Sequence, residues 1–170
     1  MTTRPTEFVA CVDDDAHVRE ATAQALRLAG LPALVHARAE DLLVNLDAAF
    51  AGVVVSDVRM PGVDGLELHR RVAAIDPDLP VILVTGHGDV EEAVRAIKSG
   101  AYDFITKPFA PDRLIISIRR ALAYRALVLE NRRLNAAATL PSPDIPILGD
   151  APAIVALRAT LRQLAGTDAN

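Results

Sequence analysis

The sequence predicts an α/β fold: a five-stranded parallel sheet with helices on both faces, continued by an extended C-terminal linker helix. Three observations carry this expectation. Five short aliphatic runs alternate with longer stretches whose apolar residues recur at helical spacing, the pattern of successive βα units. Runs such as Val53-Val54-Val55 hold no polar residue, as strands covered on both faces require. Apolar residues make up 51% of the 170 but aromatics only 4%, so the core must be built from Val, Leu, Ile and Ala.

The elements follow in order. Phe8 to Val12 is the first strand and ends in Asp13, Asp14 and Asp15. Ala16, Val18, Ala21, Ala25, Leu26 and Leu28 set a helix over residues 16–29, with Asp15 as its N-cap. Gly30 and Pro32 stop it. Residues 33–37 form a second, weaker strand, and residues 39–49 read as a helix with Leu42, Leu43 and Leu46 on one face. Gly52 to Ser56 is the third strand, ending at Asp57; Pro61 and Gly62 build a turn, and a helix runs from Gly65 to Asp76. Val81 to Val84 is the fourth strand, ending at Thr85. Residues 86–89 form a loop, and residues 90–99 a helix that Gly100 stops. Phe104 to Thr106 is the fifth strand, ending at Lys107-Pro108, and a long helix runs from near Asp112 to about Ala137. Beyond it, Leu140 to Pro146 holds three prolines in seven residues and reads as an extended linker. Residues 150–165 then set Ile154, Leu157, Leu161 and Leu164 on one helical face.

Composition narrows the function. A net charge of −4 gives no argument for general nucleic-acid binding. The single cysteine, Cys11, lies in an apolar run and reads as a small buried hydrophobe. A lone thiol without a signal-peptide pattern suits a reducing cytoplasm. No apolar run approaches the roughly 18–20 residues that span a bilayer, so no membrane segment is expected. The histidines, His17, His36, His69 and His87, lack ligand-like spacing for zinc.

In an open parallel sheet, ligands gather beyond the carboxyl ends of the strands. The unusual polar residues fall there: Asp13 and Asp14 after the first strand, Asp57 after the third, Thr85 after the fourth and Lys107 after the fifth. Each has a bland reading. A strand-end Asp often caps a helix, a strand-end Thr is a turn residue, and a Lys before Pro is a solvated charge. What sets these aside is that one edge receives all of them. Crowded carboxylates repel one another and invite a divalent cation, and two or three of them with open positions suit magnesium alongside a phosphate.

Val12-Asp13-Asp14-Asp15, then Ser56-Asp57-Val58-Arg59-Met60-Pro61-Gly62-Val63-Asp64-Gly65, then Val84-Thr85-Gly86 and Lys107-Pro108-Phe109 resemble the receiver domain of two-component response regulators, over about residues 6–125. The resemblance implies the flavodoxin-like fold of CheY-like receivers. It implies Asp57 as phosphoacceptor, with a sensor histidine kinase as phosphodonor. Magnesium (Mg2+) would be held directly by Asp14, Asp57 and the backbone carbonyl of Arg59, and by Asp13 through a water. Lys107 would contact the phosphoryl oxygens, Thr85 would turn to bond the phosphoryl group, and Phe104 would change rotamer with activation. The Lys107–Pro108 bond would be cis. The chain would catalyse its own modification without turning over a substrate.

Finer motifs, Thr85-Gly86-His87-Gly88-Asp89-Val90, Gly100 to Phe109 and Leu129-Glu130-Asn131-Arg132-Arg133-Leu134, are similar to receivers of NtrC-type activators, which act on sigma-54 RNA polymerase. Ile147-Leu148-Gly149-Asp150-Ala151-Pro152-Ala153-Ile154 resembles the opening of the AAA+ ATPase domain in such activators. The expected organisation is therefore a receiver over 6–124, a linker helix and candidate coiled coil over 125–139, a Pro-rich linker over 140–149, and the start of a truncated AAA+ domain over 150–170. No Gly-x-x-x-x-Gly-Lys-Ser/Thr loop is present, so no ATP hydrolysis is expected, and no helix-turn-helix for direct DNA binding.

Past Tyr124 the long helix outruns a five-stranded core, and Leu127, Val128 and Leu134 are read as a stripe for a homodimer. The alternative is a frayed C-terminal helix. The six arginines between Arg113 and Arg133 read as a solvated face rather than a nucleic-acid patch. Two other functions stay open: a phosphatase with an Asp nucleophile, told apart by multiple turnover, and an interaction module that is never phosphorylated, told apart by loss of magnesium binding.

Overall fold

The computed structural model describes residues 8–86 and 90–138. The expected linker over 140–149 and ATPase opening over 150–170 lie outside the described residues. By packing, the chain divides into units of residues 1–133 and 134–170. Of the second, only the end of the long helix is described.

The elements run β1 (Val9–Val12), α1 (Ala16–Leu28), β2 (Ala33–His36), α2 (Ala39–Leu43), β3 (Val53–Asp57), α3 (Gly65–Ile75), β4 (Val81–Thr85), α4 (Val90–Lys98), β5 (Asp103–Thr106) and α5 (Pro111–Ala138). All four strand pairings are parallel, in the order β2-β1-β3-β4-β5. The order reverses between β1 and β3, which opens a crevice at their carboxyl ends.

Period-two alternation explains the two cores. Val9 and Cys11 of β1, Val53 and Val55 of β3, and Ile82 and Val84 of β4 face Leu26 of α1 and Leu114, Ile118 and Leu122 of α5. Ala10, Val12, Val54, Val81 and Leu83 face the opposite way, onto Leu42, Leu68, Val72 and Ala96 from α2, α3 and α4. β1, β3 and β4 are thus buried on both sides, while the edge strands β2 and β5 are partly exposed. Burial and the Asp13 charge push the Cys11 thiol up to about 12, consistent with its role as a small hydrophobe.

Asp15 caps α1 as expected, its carboxylate accepting the His17 and Val18 N–H groups at 2.8 and 3.3 Å. Gly30 and Gly100 end their helices at φ of 72° and 96°, a left-handed conformation that glycine adopts without penalty.

One element departs from expectation. α2 ends at Leu43 rather than near residue 49. Asn45 and Leu46 close tight turns onto Leu42 and Leu43, and the Asp47 carboxylate accepts the Ala49 N–H at 2.9 Å, a local bond that competes with helix. Leu42 and Leu46 are buried all the same and Leu43 is half-buried, so the apolar spacing reported the inward face correctly and helix length wrongly.

Candidate functional site

The register brings the strand ends level. Val12 pairs with Ser56, so Asp13 follows β1 where Asp57 closes β3. Asp57 pairs with Val84, and Thr85 with Thr106, one residue before Lys107. Residues 50 to 94 positions apart in sequence therefore meet at one edge.

Asp57 is buried, with 9% of its surface exposed. Its Oδ1 accepts a hydrogen bond from Lys107 Nζ at 2.8 Å, and its Oδ2 accepts the Arg59 backbone N–H, also at 2.8 Å. Lys107 Nζ donates a second bond, 3.2 Å, to Asp13 Oδ2. One ammonium thus bridges two carboxylates. Burial pulls the Lys107 ammonium down; the Asp57 hydrogen bond and the charges of Asp13 and Asp57 outweigh it, so the net direction is up. The Lys107–Pro108 bond is cis, and the Lys107 N–H donates to the Thr85 carbonyl at 2.6 Å.

Thr85 is fully buried at the end of β4, and Phe104 is half-buried on β5 against the α2-α3-α4 core. Gly65 opens α3 hard against the end of β3. A β carbon there would collide with the Asp57 carbonyl oxygen and lie 2.9 Å from Val58 Cα, so the loop carrying Asp57 packs as it does only above a glycine.

Asp14 stands exposed next to Asp13, and the Arg59 side chain is exposed too. Among the described residues, no three His, Cys, Asp or Glu side chains are gathered as a metal cluster. The structure brings Asp13, Asp57 and Lys107 together but leaves Asp14 outside that contact. The chemistry of the donor set still fits a magnesium ion. It consists of hard oxygen ligands, and two of its carboxylates already converge on a cationic group at the strand ends.

Two arrangements went unseen in the sequence. Arg19 Nη1 donates to the Asp13 carbonyl at 2.7 Å, and Arg19 lines the same crevice as Asp13, Asp57, Lys107 and Thr22. Arg125, placed with its neighbours on a solvated face by the charge pattern, is instead fully buried. It donates to Asp76 Oδ2 at 2.8 Å and to the carbonyls of Phe50 and Ala48 at 2.9 and 3.0 Å. Arg132 joins it, donating to both Asp76 oxygens at 2.6 and 2.7 Å and to Asp78 at 2.7 Å. No helix among the described residues is long and apolar enough to cross a membrane.

Comparison with known proteins gives this edge its context. Residues 9–119 match the response regulator receiver domain family. The chain is 52% identical to the C4-dicarboxylate transport transcriptional regulatory protein DctD of Rhizobium meliloti over 168 residues, which are 99% of this chain and 36% of that protein. It is 54% identical to DctD of Pseudomonas aeruginosa over 76% of this chain and 28% of that one. To NtrC of Escherichia coli it is 36% identical over 84% and 30%. It thus spans about a third of the length of these relatives. Among solved structures, the response regulator StyR superposes with a TM-score of 0.73 at 34% identity, covering 78% of this chain and 67% of that one. The beryllofluoride-activated NtrC4 receiver domain dimer superposes at 0.65 and 32%, covering 71% and 99%. The switch-point crevice and these matches agree, and the chain belongs to the response regulator receiver domain family, as a receiver of the NtrC type similar to DctD.

Proposed function

We propose that Asp57 takes a phosphoryl group from a phosphohistidine of a sensor histidine kinase in a magnesium-dependent reaction. The modified receiver then rearranges a homodimer and so controls a downstream AAA+ ATPase of the sigma-54 activator type in the cytoplasm. The observation that carries this reading is the buried Asp57 carboxylate, held at one oxygen by Lys107 and at the other by the Arg59 N–H.

A carboxylate oxygen of Asp57 attacks phosphorus; the O–P bond forms as the P–N bond breaks, and its electron pair leaves with the imidazole. The product is an acyl phosphate. The transition state is loose and spreads charge over three equatorial oxygens, so the protein contributes positioning and charge. Lys107 is a fixed positive charge beside the nucleophile, and the Arg59 N–H holds the carboxylate's second oxygen. Asp14, Asp57 and the Arg59 carbonyl would hold magnesium, and Asp13 would act through a water; when bound, the ion supplies charge neutralisation at the phosphoryl oxygens. Thr85 would then bond the phosphoryl group and Phe104 follow it. Val94 and Ile97 of α4 and Ile116 of α5 are exposed, apolar side chains on the two helices that flank β5 in the chain and that such a movement would affect. Control of an ATPase rests on the likeness to DctD and NtrC, since the matching segment lies outside the described residues.

Incubation with a small phosphodonor and magnesium should add one phosphoryl mass, and Asp57→Asn should abolish it. Full labelling of that variant would refute the assignment. Continuous phosphate release over many turnovers would favour the phosphatase instead, and absence of magnesium binding the unmodified interaction module.

A further inference from the structure

The loop that carries Asp13 and Asp14 is pinned from inside helix α1. Asp15 closes it on one side by capping the helix, and the Asp15 N–H returns to Asp13 Oδ1 at 2.9 Å. On the other side stands Arg19, whose backbone N–H makes the first helical bond, 3.0 Å to the Asp15 carbonyl. Its side chain folds back over the first turn to reach the Asp13 carbonyl at 2.7 Å in a part-buried setting. Arg19 lines the same crevice as the Asp57 carboxylate, whose oxygens bond Lys107 and the Arg59 N–H. The Asp13 backbone is therefore fixed at its carbonyl by a guanidinium while its carboxylate is fixed by Lys107.

Resting on the magnesium reading above, we propose that Arg19 is a positioning residue for cation binding. By holding the Asp13 carbonyl it fixes the direction in which the Asp13 and Asp14 side chains leave the loop. The idea has a sign that separates it from plain electrostatics. Removing a positive charge beside a carboxylate cluster should, through space, strengthen the binding of a cation. Removing a group that orients the ligands should weaken it, and loss of such outer partners typically costs about 10–100-fold in metal affinity. Positioning and electrostatics thus predict opposite changes from the same substitution.

The test is calorimetric titration of magnesium into the full chain and into Arg19→Gln, Arg19→Met and Arg19→Lys, with thermal melting of each. Gln and Met keep most of the stem but lose the reach and the fork. The expected result is wild-type melting with magnesium affinity lowered about tenfold or more in the Gln and Met variants. Lys, which can still reach the carbonyl, should fall between them and wild type. Affinity equal to or tighter than wild type in a folded Gln or Met variant overturns the proposal. A collapse of melting in both would make Arg19 a residue of the fold and overturn it too. If the wild-type chain itself takes up no magnesium, the metal reading fails first, and that outcome is distinct from a failure confined to the Arg19 variants.

Discussion

Asp13 and Asp14 are neighbours with different freedom. Both oxygens of Asp13 are engaged within the protein, Oδ1 by the Asp15 N–H and Oδ2 by the Lys107 ammonium, and its side chain is only 13% exposed. Asp14 is exposed. A carboxylate already bonded at both oxygens gives up more to ligate an ion directly than one facing water does. Asp14→Asn should therefore weaken magnesium binding more than Asp13→Asn, as read by titration of each variant. Equal losses would mean that both ligate alike. At this scale the sequence was informative in part: strand ends name Asp13, Asp14, Asp57, Thr85 and Lys107, because a parallel sheet delivers strand ends to one edge, and of these Asp13, Asp57 and Lys107 are in direct contact. What it could not show is which carboxylates touch Lys107, since that depends on rotamers, nor that Arg19 folds back onto a backbone carbonyl.

Among the elements, α5 shows where pattern reading gives the wrong answer. Charge alone put Arg125 in water, but helical spacing from Ile118 and Ala121 places it on the buried stripe, where the structure has it. The spacing held and the residue type misled, because a guanidinium can be buried when every donor finds a partner. Arg125 ties α5 to Asp76 at the end of α3 and to the Ala48 and Phe50 carbonyls before β3. Removing one partner of a buried ion pair costs about 3–5 kcal/mol, so Arg125→Ala should destabilise the domain by that order in denaturant titration. Arg132→Ala should cost less, because that side chain is 40% exposed. The cluster also sets a pH limit. The Arg132 hydrogen bonds hold the Asp76 carboxyl well below the usual carboxylate range; burial opposes them, and the Asp78 N–H and Arg125 add to them. A carboxyl depressed on folding contributes stability that is complete above its unfolded value, about 3.9, and is lost as pH falls below it. Stability should thus drop as pH is lowered from 5 towards 2, and Asp76→Asn, less stable at neutral pH, should show a shallower acid limb. Parallel slopes in the two chains would show that Asp76 is not responsible.

For the molecule as a whole, the clamp on α5 decides what the helix offers to a second copy. Leu127 follows Arg125 by two residues and Leu134 follows Arg132 by two. At 3.6 residues per turn this is about 200° around the helix, so the leucines stand opposite the clamped face. Leu127 is 72% exposed and Leu134 52%, whereas Val128, about 60° from Arg125, is half-buried on its own chain and has less to give a partner. The arginines thus hold one side of the helix to the receiver, and the other carries two exposed leucines with Glu130 and Asn131 between them. Covering those leucines with the same residues of a second copy is the two-fold solution open to identical chains. Each buried leucine could contribute about 1.5–3 kcal/mol before the cost of association. Two leucines per chain make such a pairing a moderate one, and a phosphoryl group has only a limited differential energy to move it. That balance suits a dimer whose arrangement switches when the α4–β5–α5 surface changes. Cutting the chain after Tyr124 would remove Arg125 and Arg132 with the leucines and would confuse folding with pairing. The double variant Leu127→Glu with Leu134→Glu alters only exposed positions. It should melt like the wild type and accept phosphate at Asp57, yet sediment as a monomer where the wild type is a dimer. A wild-type chain that remains a monomer at high micromolar concentration, with and without a phosphoryl mimic, would refute the dimer switch. A double variant that still dimerises would move the interface off these leucines.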